Sequence, residues 1–411
     1  MRGVLRNVGS LARCLADGGQ HEVHALDRGA LVWEGAQLVW VGPEAKLPGR
    51  YAGFPTHDAG GGLVVPGLVD CHTHLAFGGW RGDEFERRVR GDSYLEIAKE
   101  GGGIASTVRA TRAAADDELL LRVVGVLAQM LRLGVTTVEA KSGYGLSHEQ
   151  ELRLLETYRE ASFHDVELVP TYLGAHVVPP ELRDEPGGRE RYVEEMCTRT
   201  IPEVAARKLA EFVDVFVEEG AYTLDEARRI FGAAAEHGLR PRLHADQLSD
   251  GGGAALAAEV GALSADHLEC ASDEGLRAMA AAGVVAVVLP FASLYTFQAP
   301  VDARRLIAAG VPVAVATDFN PGSAPSYDLP TALSLACTLD RMTPAQALKG
   351  ATIVAARALG RDAQIGSLEA GKRANVAVYD APDVNHWLYH LRPGACRMVV
   401  ANGRIAYDGA A

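Results

Sequence analysis

The 411-residue sequence has no hydrophobic run long enough to cross a bilayer. Its longest strongly apolar stretch, Val284 to Leu294, is interrupted by Pro290, whereas a membrane-spanning helix needs about 20 apolar residues. Met1 to Gln20 lacks the apolar core of a secretory signal. The six cysteines (Cys14, Cys71, Cys197, Cys270, Cys337 and Cys396) are scattered, with no CxxC or paired spacing, which fits reduced thiols. These absences predict a cytoplasmic protein with reduced thiols. Basic residues are in deficit, 40 Lys and Arg against 53 Asp and Glu, a net charge of −13. No nucleic acid and no membrane are therefore expected as partners, since both need a basic face. There is no low-complexity segment and no long linker.

What is present suffices for a large core, with 48% hydrophobic and 23% charged residues. Residues 1–63 lack helical periodicity and carry short strand-like runs, Ala30 to Trp33 and Leu38 to Val41, between Gly- and Pro-marked turns. Residues 363–411 read the same way, in Asn375 to Tyr379, Arg397 to Val400 and Arg404 to Tyr407. Neither segment has strands enough to close a core alone. The expectation is one small discontinuous β-sandwich built from both termini. Between them, residues 64–362 alternate helices with short buried strands, which implies a parallel sheet and fits an α/β fold of the (β/α)₈ barrel type. A doubly wound open sheet is the runner-up, weakened because no Gly-rich nucleotide loop follows the first strand.

The stretch Val64-Val65-Pro66-Gly67-Leu68-Val69-Asp70-Cys71-His72-Thr73-His74 organises the chain. It reads as a buried strand, with His72 and His74 on one face and Cys71 and Thr73 on the other. In a barrel the active site gathers at the C-terminal ends of the strands. Those positions hold His72, His74, Lys141, Tyr144, His176, His244, His267 and Asp318. HxH alone is a weak signal, and each of the others taken singly is more often a hydrogen-bonded polar residue. Together His72, His74, His244 and Asp318 give three imidazoles and one carboxylate, a sensible donor set for a divalent metal. Zinc and iron suit it equally. Arg81 could hold a carboxylate by a bidentate pair; among Arg87, Arg88 and Arg90 it could equally be a solvated surface residue. The triplets Gly101–Gly103 and Gly251–Gly253 lack the Lys-Ser/Thr of a phosphate cradle and read as close-approach loops.

Pro66 to His74 resembles the first-strand motif of the amidohydrolase superfamily, and Ile365 to Asn375 resembles its C-terminal sandwich strand. Further blocks narrow the likeness: His74 to Arg81, Gly101 to Ile104, Lys141 to Leu146, Leu173 to His176, His244 to Gln247, and Ala316 to Ser323. In that order they are similar to the branch that opens imidazolone rings in histidine degradation. The resemblance covers essentially the whole chain. It implies one divalent metal per chain, Zn2+ or Fe, held by His72, His74, His244 and Asp318. It implies substrate contacts at Arg81, Tyr144, His176, Gln247, Asn320, Gly322 and Ser323, and catalytic roles for His267, Asp318 and Gln247. The position of Gln247 is glutamate in some relatives. An amide exchanges no proton near neutral pH, so Gln247 only orients or polarises, and proton transfer falls to His267, Asp318 or both. Lys141 as a carbamylated bridge between two metals is disfavoured by the mononuclear pattern.

The resemblance thus implies hydrolysis of the ring C–N bond of a small anionic imidazolone, 4-imidazolone-5-propanoate, by metal-activated water, giving N-formimidoyl-L-glutamate. A cyclic-amidine deaminase with the same fold and ligands is the alternative, and a non-catalytic barrel used as a binding scaffold is a distant one. A homodimer is the expected assembly by default.

Overall fold

The N-terminal segment forms β1 (Arg2–Arg6), β2 (Ser10–Ala12), β3 (Ala25–Asp27), β4 (Gly29–Glu34), β5 (Gln37–Pro43), β6 (Thr56–Asp58) and β7 (Leu63–Pro66) in the computed structural model. The model describes residues 1–92, 96–97, 100–162, 165–392 and 394–409. The C-terminal segment adds β16 (Val376–Tyr379), β17 (Cys396–Ala401) and β18 (Arg404–Asp408). One sheet, in the order β5-β4-β1-β6, is wholly N-terminal. The second, β18-β17-β16-β7-β2-β3, is shared by both ends of the chain. Apolar residues of the two sheets, including Leu5, Leu31, Val64, Val376 and Val400, pack into one cluster. Trp33 Nε1 donates to the Gly403 carbonyl at 2.8 Å across that junction. The expected sandwich built from both termini is therefore what forms.

Between the termini, eight parallel strands make the barrel. They are β8 (Leu68–Asp70), β9 (Val135–Lys141), β10 (Glu167–Ala175), β11 (Phe212–Val217), β12 (Arg240–Ala245), β13 (Ser264–His267), β14 (Val285–Val288) and β15 (Val313–Val315). Each neighbouring pair is parallel and in sequence order. Helices begin where sequence chemistry places them. Thr223 and Glu226 form a reciprocal capping box at the start of Leu224–Glu236, filling two otherwise orphan N–H groups.

The single strand expected over Val64 to His74 is in fact two. Leu63–Pro66 pairs with β16 in the terminal sheet, and the chain crosses at Gly67 into the barrel strand Leu68–Asp70. A Cβ on Gly67 would lie 2.4 Å from Thr136 Oγ1, so the crossing needs glycine. Regular pleating ends at Asp70. Val69 and Cys71 enter the inner apolar cluster of the barrel with Val169, Phe212, Val285 and Val287. His72 and His74 still reach the barrel axis because the chain has left the alternating pleat.

Among the described residues, the end strands β8 and β15 share no regular ladder. The seam is stitched just above them. Asp318 N–H donates to the His72 carbonyl at 3.0 Å, and His74 N–H donates to the Phe319 carbonyl at 2.8 Å. Below, the Thr317 hydroxyl donates to Asp70 at 2.6 Å. Burial pushes the Asp70 carboxyl up to about 7, against the hydrogen bonds it accepts.

Candidate active site

Above the apolar layer of the barrel lies a charged one, fully buried: Glu139 and Lys141 on β9, Asp214 on β11, Arg242 on β12 and Asp266 on β13. Lys141 Nζ meets Glu139 at 2.9 Å and Asp214 at 2.8 Å. Arg242 meets Asp266 at 3.2 Å. Buried charges persist only when paired, and here each is. The carboxylates also reach upward. Asp266 lies 2.6 Å from His72 Nδ1, and Asp214 lies 2.9 Å from His244 Nδ1. This fixes both rings with Nε2 directed away from the network, the arrangement by which a carboxylate orients a metal-binding imidazole.

His72 and His74 place Nε2 at 3.3 and 3.4 Å from the same oxygen of Asp318. Candidate ligand atoms of His72, His74 and Asp318 lie within 4.8 Å of one another, as do those of His72, His244 and His267. His72 Nε2 and His244 Nε2 are buried without a hydrogen-bond partner among the described residues. Burial draws His244 down to about 3 and also lowers His74, so both are neutral donors. Burial and Lys141 oppose protonation of His72, but Asp266 and Asp318 prevail and raise it to about 9. Although burial opposes it, Asp318 is held well below the carboxylate range by His72 and His74.

The charge inventory makes its own demand. The buried carboxylates Glu139, Asp214, Asp266 and Asp318 face two permanently cationic side chains, Lys141 and Arg242. With His72 neutral, as a metal ligand must be, two negative charges remain, and a divalent cation would neutralise them. The orphaned Nε2 atoms and the acidic excess together fit a divalent metal.

A cavity of about 710 Å³, its mouth included, opens over this cluster. The expected residues His74, Arg81, Tyr144, His176, His244, Gln247, His267, Asp318, Asn320 and Ser323 all line it. Gly322 lies behind Arg81: a Cβ there would sit 1.7 Å from the guanidinium. Arg81 is a buried residue, not a surface arginine, and its Nε and one terminal nitrogen lack hydrogen-bond acceptors among the described residues. His176 Nδ1 donates to the Gly143 carbonyl at 2.9 Å, so the proton is on Nδ1 and Nε2 is an acceptor. Burial holds His176 well below its usual range, which keeps it neutral.

Asn320 behaves differently from its neighbours. Its amide donates to the Asp318 carbonyl at 2.7 Å and to Ser323 Oγ at 2.9 Å, and its oxygen accepts from the Gly322 and Ser323 N–H groups. That leaves it bracing the loop that carries Asp318. Two carboxylates brace other loops. Glu151 accepts the N–H groups of Gly143, Gly145 and Leu146 around Tyr144. Glu218 accepts Leu248 N–H at 2.8 Å, beside Gln247.

The sequence reading missed these braces and the counter-charged layer. One signal was available for the layer: Asp214 sits between Val213 and Val215, and Glu139 between Val138 and Ala140. A lone charge in a buried strand must find a partner.

The amidohydrolase family model matches residues 63–406. An imidazolonepropionase of Geobacillus thermodenitrificans is 47% identical over 405 residues, covering 97% of this chain and 95% of the relative. One from a Polaromonas species is 46% identical over 385 residues, covering 92% and 89%. Among solved structures, a triazine hydrolase variant superimposes with a TM-score of 0.79 at 18% identity, covering 98% of this chain and 94% of that one. A zinc-bound adenosine deaminase from Xanthomonas campestris superimposes with a TM-score of 0.72 at 18% identity, covering 98% and 92%. These structures share the fold. The chain belongs to the amidohydrolase family and, within it, to the imidazolonepropionases.

Proposed function

We propose that this chain hydrolyses 4-imidazolone-5-propanoate to N-formimidoyl-L-glutamate, with His72, His74, His244 and Asp318 as ligands of one divalent metal. Zn2+ and Fe both suit the donor set. The observation that carries the substrate reading is Arg81. A buried guanidinium, with Glu84 no nearer than 3.8 Å and two nitrogens without a hydrogen-bond acceptor among the described residues, lines the same cavity as the candidate ligands and is matched to a small molecule with a carboxylate. A deaminase substrate without a carboxylate would leave that cation only its long Glu84 contact. A scaffold that only binds would have no use for four intact ligands.

A divalent ion at these ligands supplies polarisation of a carbonyl and acidification of water. The remaining work falls to side chains. Hydrolysis joins a water oxygen to the ring carbonyl carbon, breaks its bond to the ring nitrogen, and moves a proton from the water to that nitrogen. His267 lines the cavity and carries that proton, because imidazole gains and loses protons near neutral pH. Arg81 holds the propanoate. Neutral His176 accepts from a ring N–H through Nε2. Gln247 and Tyr144 orient the ring, and Ser323 closes the carboxylate side. Incubating the purified protein with 4-imidazolone-5-propanoate and following loss of its ultraviolet absorbance tests the reading. Rapid loss with formation of N-formimidoyl-L-glutamate is expected; release of ammonia instead would favour the deaminase.

A further inference from the structure

His267 ends β13 in an unusual backbone state. Its φ is +80°, and that of Leu268 is +72°, two successive non-glycine residues in the left-handed region. Such conformations persist only where the surroundings enforce them, and they concentrate at functional sites. Here the turn is held by Leu268 N–H on the Ala245 carbonyl at 3.0 Å and Cys270 N–H on the Asp246 carbonyl at 2.8 Å. Both acceptors belong to the segment that carries His244 and Gln247.

The turn brings Glu269 back beside the ring two residues earlier. Glu269 Oε1 lies 3.7 Å from His267 Nδ1, and both side chains are at least nine-tenths buried. Nδ1 has no hydrogen-bond partner among the described residues, and neither has Glu269 Oε2. Ser293 Oγ is 3.5 Å from Oε1. Nδ1, itself unsatisfied, faces Oε1 just beyond hydrogen-bond distance, and an approach of under about 1 Å completes the bond. Catalytic hydrogen bonds are often long in a free enzyme and tighten when substrate binds. Asp340 is the neighbouring acid: burial, with Glu269 nearby, pushes its carboxyl up to about 8.

We propose that Glu269 is a positioning residue, which accepts from His267 Nδ1–H and so presents unprotonated Nε2 to the reacting centre. The proposal rests on the proton-carrying role given to His267 above. It assigns to this turn the tautomer-setting task that Asp266 and Asp214 perform for His72 and His244.

The test is a double-mutant cycle on the metal-loaded enzyme, with Glu269→Ala and His267→Asn. Glu269→Ala is expected to lower kcat at least about tenfold, with KM within about threefold and metal content unchanged. In the His267→Asn background it should cost less than about twofold, since its partner is gone. Glu269→Gln, the same shape with an acceptor oxygen but no charge, should fall between wild type and Glu269→Ala, and it carries the cycle if the alanine variant does not fold. Equal losses in both backgrounds, or wild-type kcat for Glu269→Ala, overturn the proposal. A readout free of substrate separates it from the hydrolase reading: 15N-histidine NMR, with His267 assigned by its absence in His267→Asn. Protonation on Nδ1 in wild type, lost in Glu269→Ala, is expected. A ring protonated on Nε2 in wild type overturns the proposal, whichever substrate the enzyme takes.

Discussion

Asp318 meets His72 twice: its N–H donates to the His72 carbonyl at 3.0 Å, and its carboxylate lies 3.3 Å from His72 Nε2. The first contact closes the barrel, and the second joins two candidate metal ligands. The last strand and the first thus join at the point where the donors converge, so barrel closure and site assembly are one event. Metal binding should therefore stabilise the fold as well as complete the site.

The metal prediction follows from the buried charges. About one divalent ion per chain is expected by elemental analysis, and His244→Ala should lose most of it. Lys141→Met should also lose metal affinity, although Lys141 touches no metal. It leaves Glu139 and Asp214 without their shared cation, a destabilisation of about 3–5 kcal/mol. Two ions per chain, or a Lys141→Met enzyme with normal stability and metal content, would contradict this account.

Arg81→Ala should raise KM and lower kcat/KM by about 2–4 kcal/mol equivalent, as for truncation of a buried charge pair. Gly322→Ala should reproduce much of this with Arg81 intact, because its methyl would occupy the space of the guanidinium. Steady-state kinetics on both variants checks the assignment; wild-type KM in Gly322→Ala would show that Arg81 is free to move aside.

His267→Asn, close in shape but unable to titrate, should keep its metal and lose at least about a hundredfold in kcat. If Gln247 only orients the substrate, as an amide that cannot exchange a proton near neutral pH, Gln247→Glu should remain active. A metal-replete His267→Asn enzyme within tenfold of wild type would pass proton transfer to Asp318.

Asp340 gives the fold a pH dependence. Its folded value near 8 lies above the ordinary 3.8, through burial first and Glu269 second. Between roughly pH 4 and 8 the folded protein keeps a proton that the unfolded chain has released. The contribution is therefore fully present below about pH 4, declines as pH rises, and is gone above about pH 8. Asp340→Asn, neutral throughout, should gain Tm relative to wild type as pH rises from 5 to 8, with the difference level above that. Thermal melts across this range measure it; a Tm difference independent of pH would mean that Asp340 titrates normally.

The sequence by itself determined the class of fold and singled out the candidate metal donors. Strand–helix alternation forces a parallel sheet, and parallel strands deliver their C-terminal residues to one rim. His72, His74, His244 and Asp318 could therefore be gathered without coordinates. Local pattern misled where Gly67 divides one apolar run between two sheets, because periodicity does not report which partner a strand takes. Only the tertiary structure decided that Lys141 neutralises Glu139 and Asp214, that Asn320 braces its loop, and that Gly322 makes room for Arg81. Each depends on the register between strands or loops far apart in the chain. That register is set by the packing of the whole barrel, so no local stretch of sequence carries it.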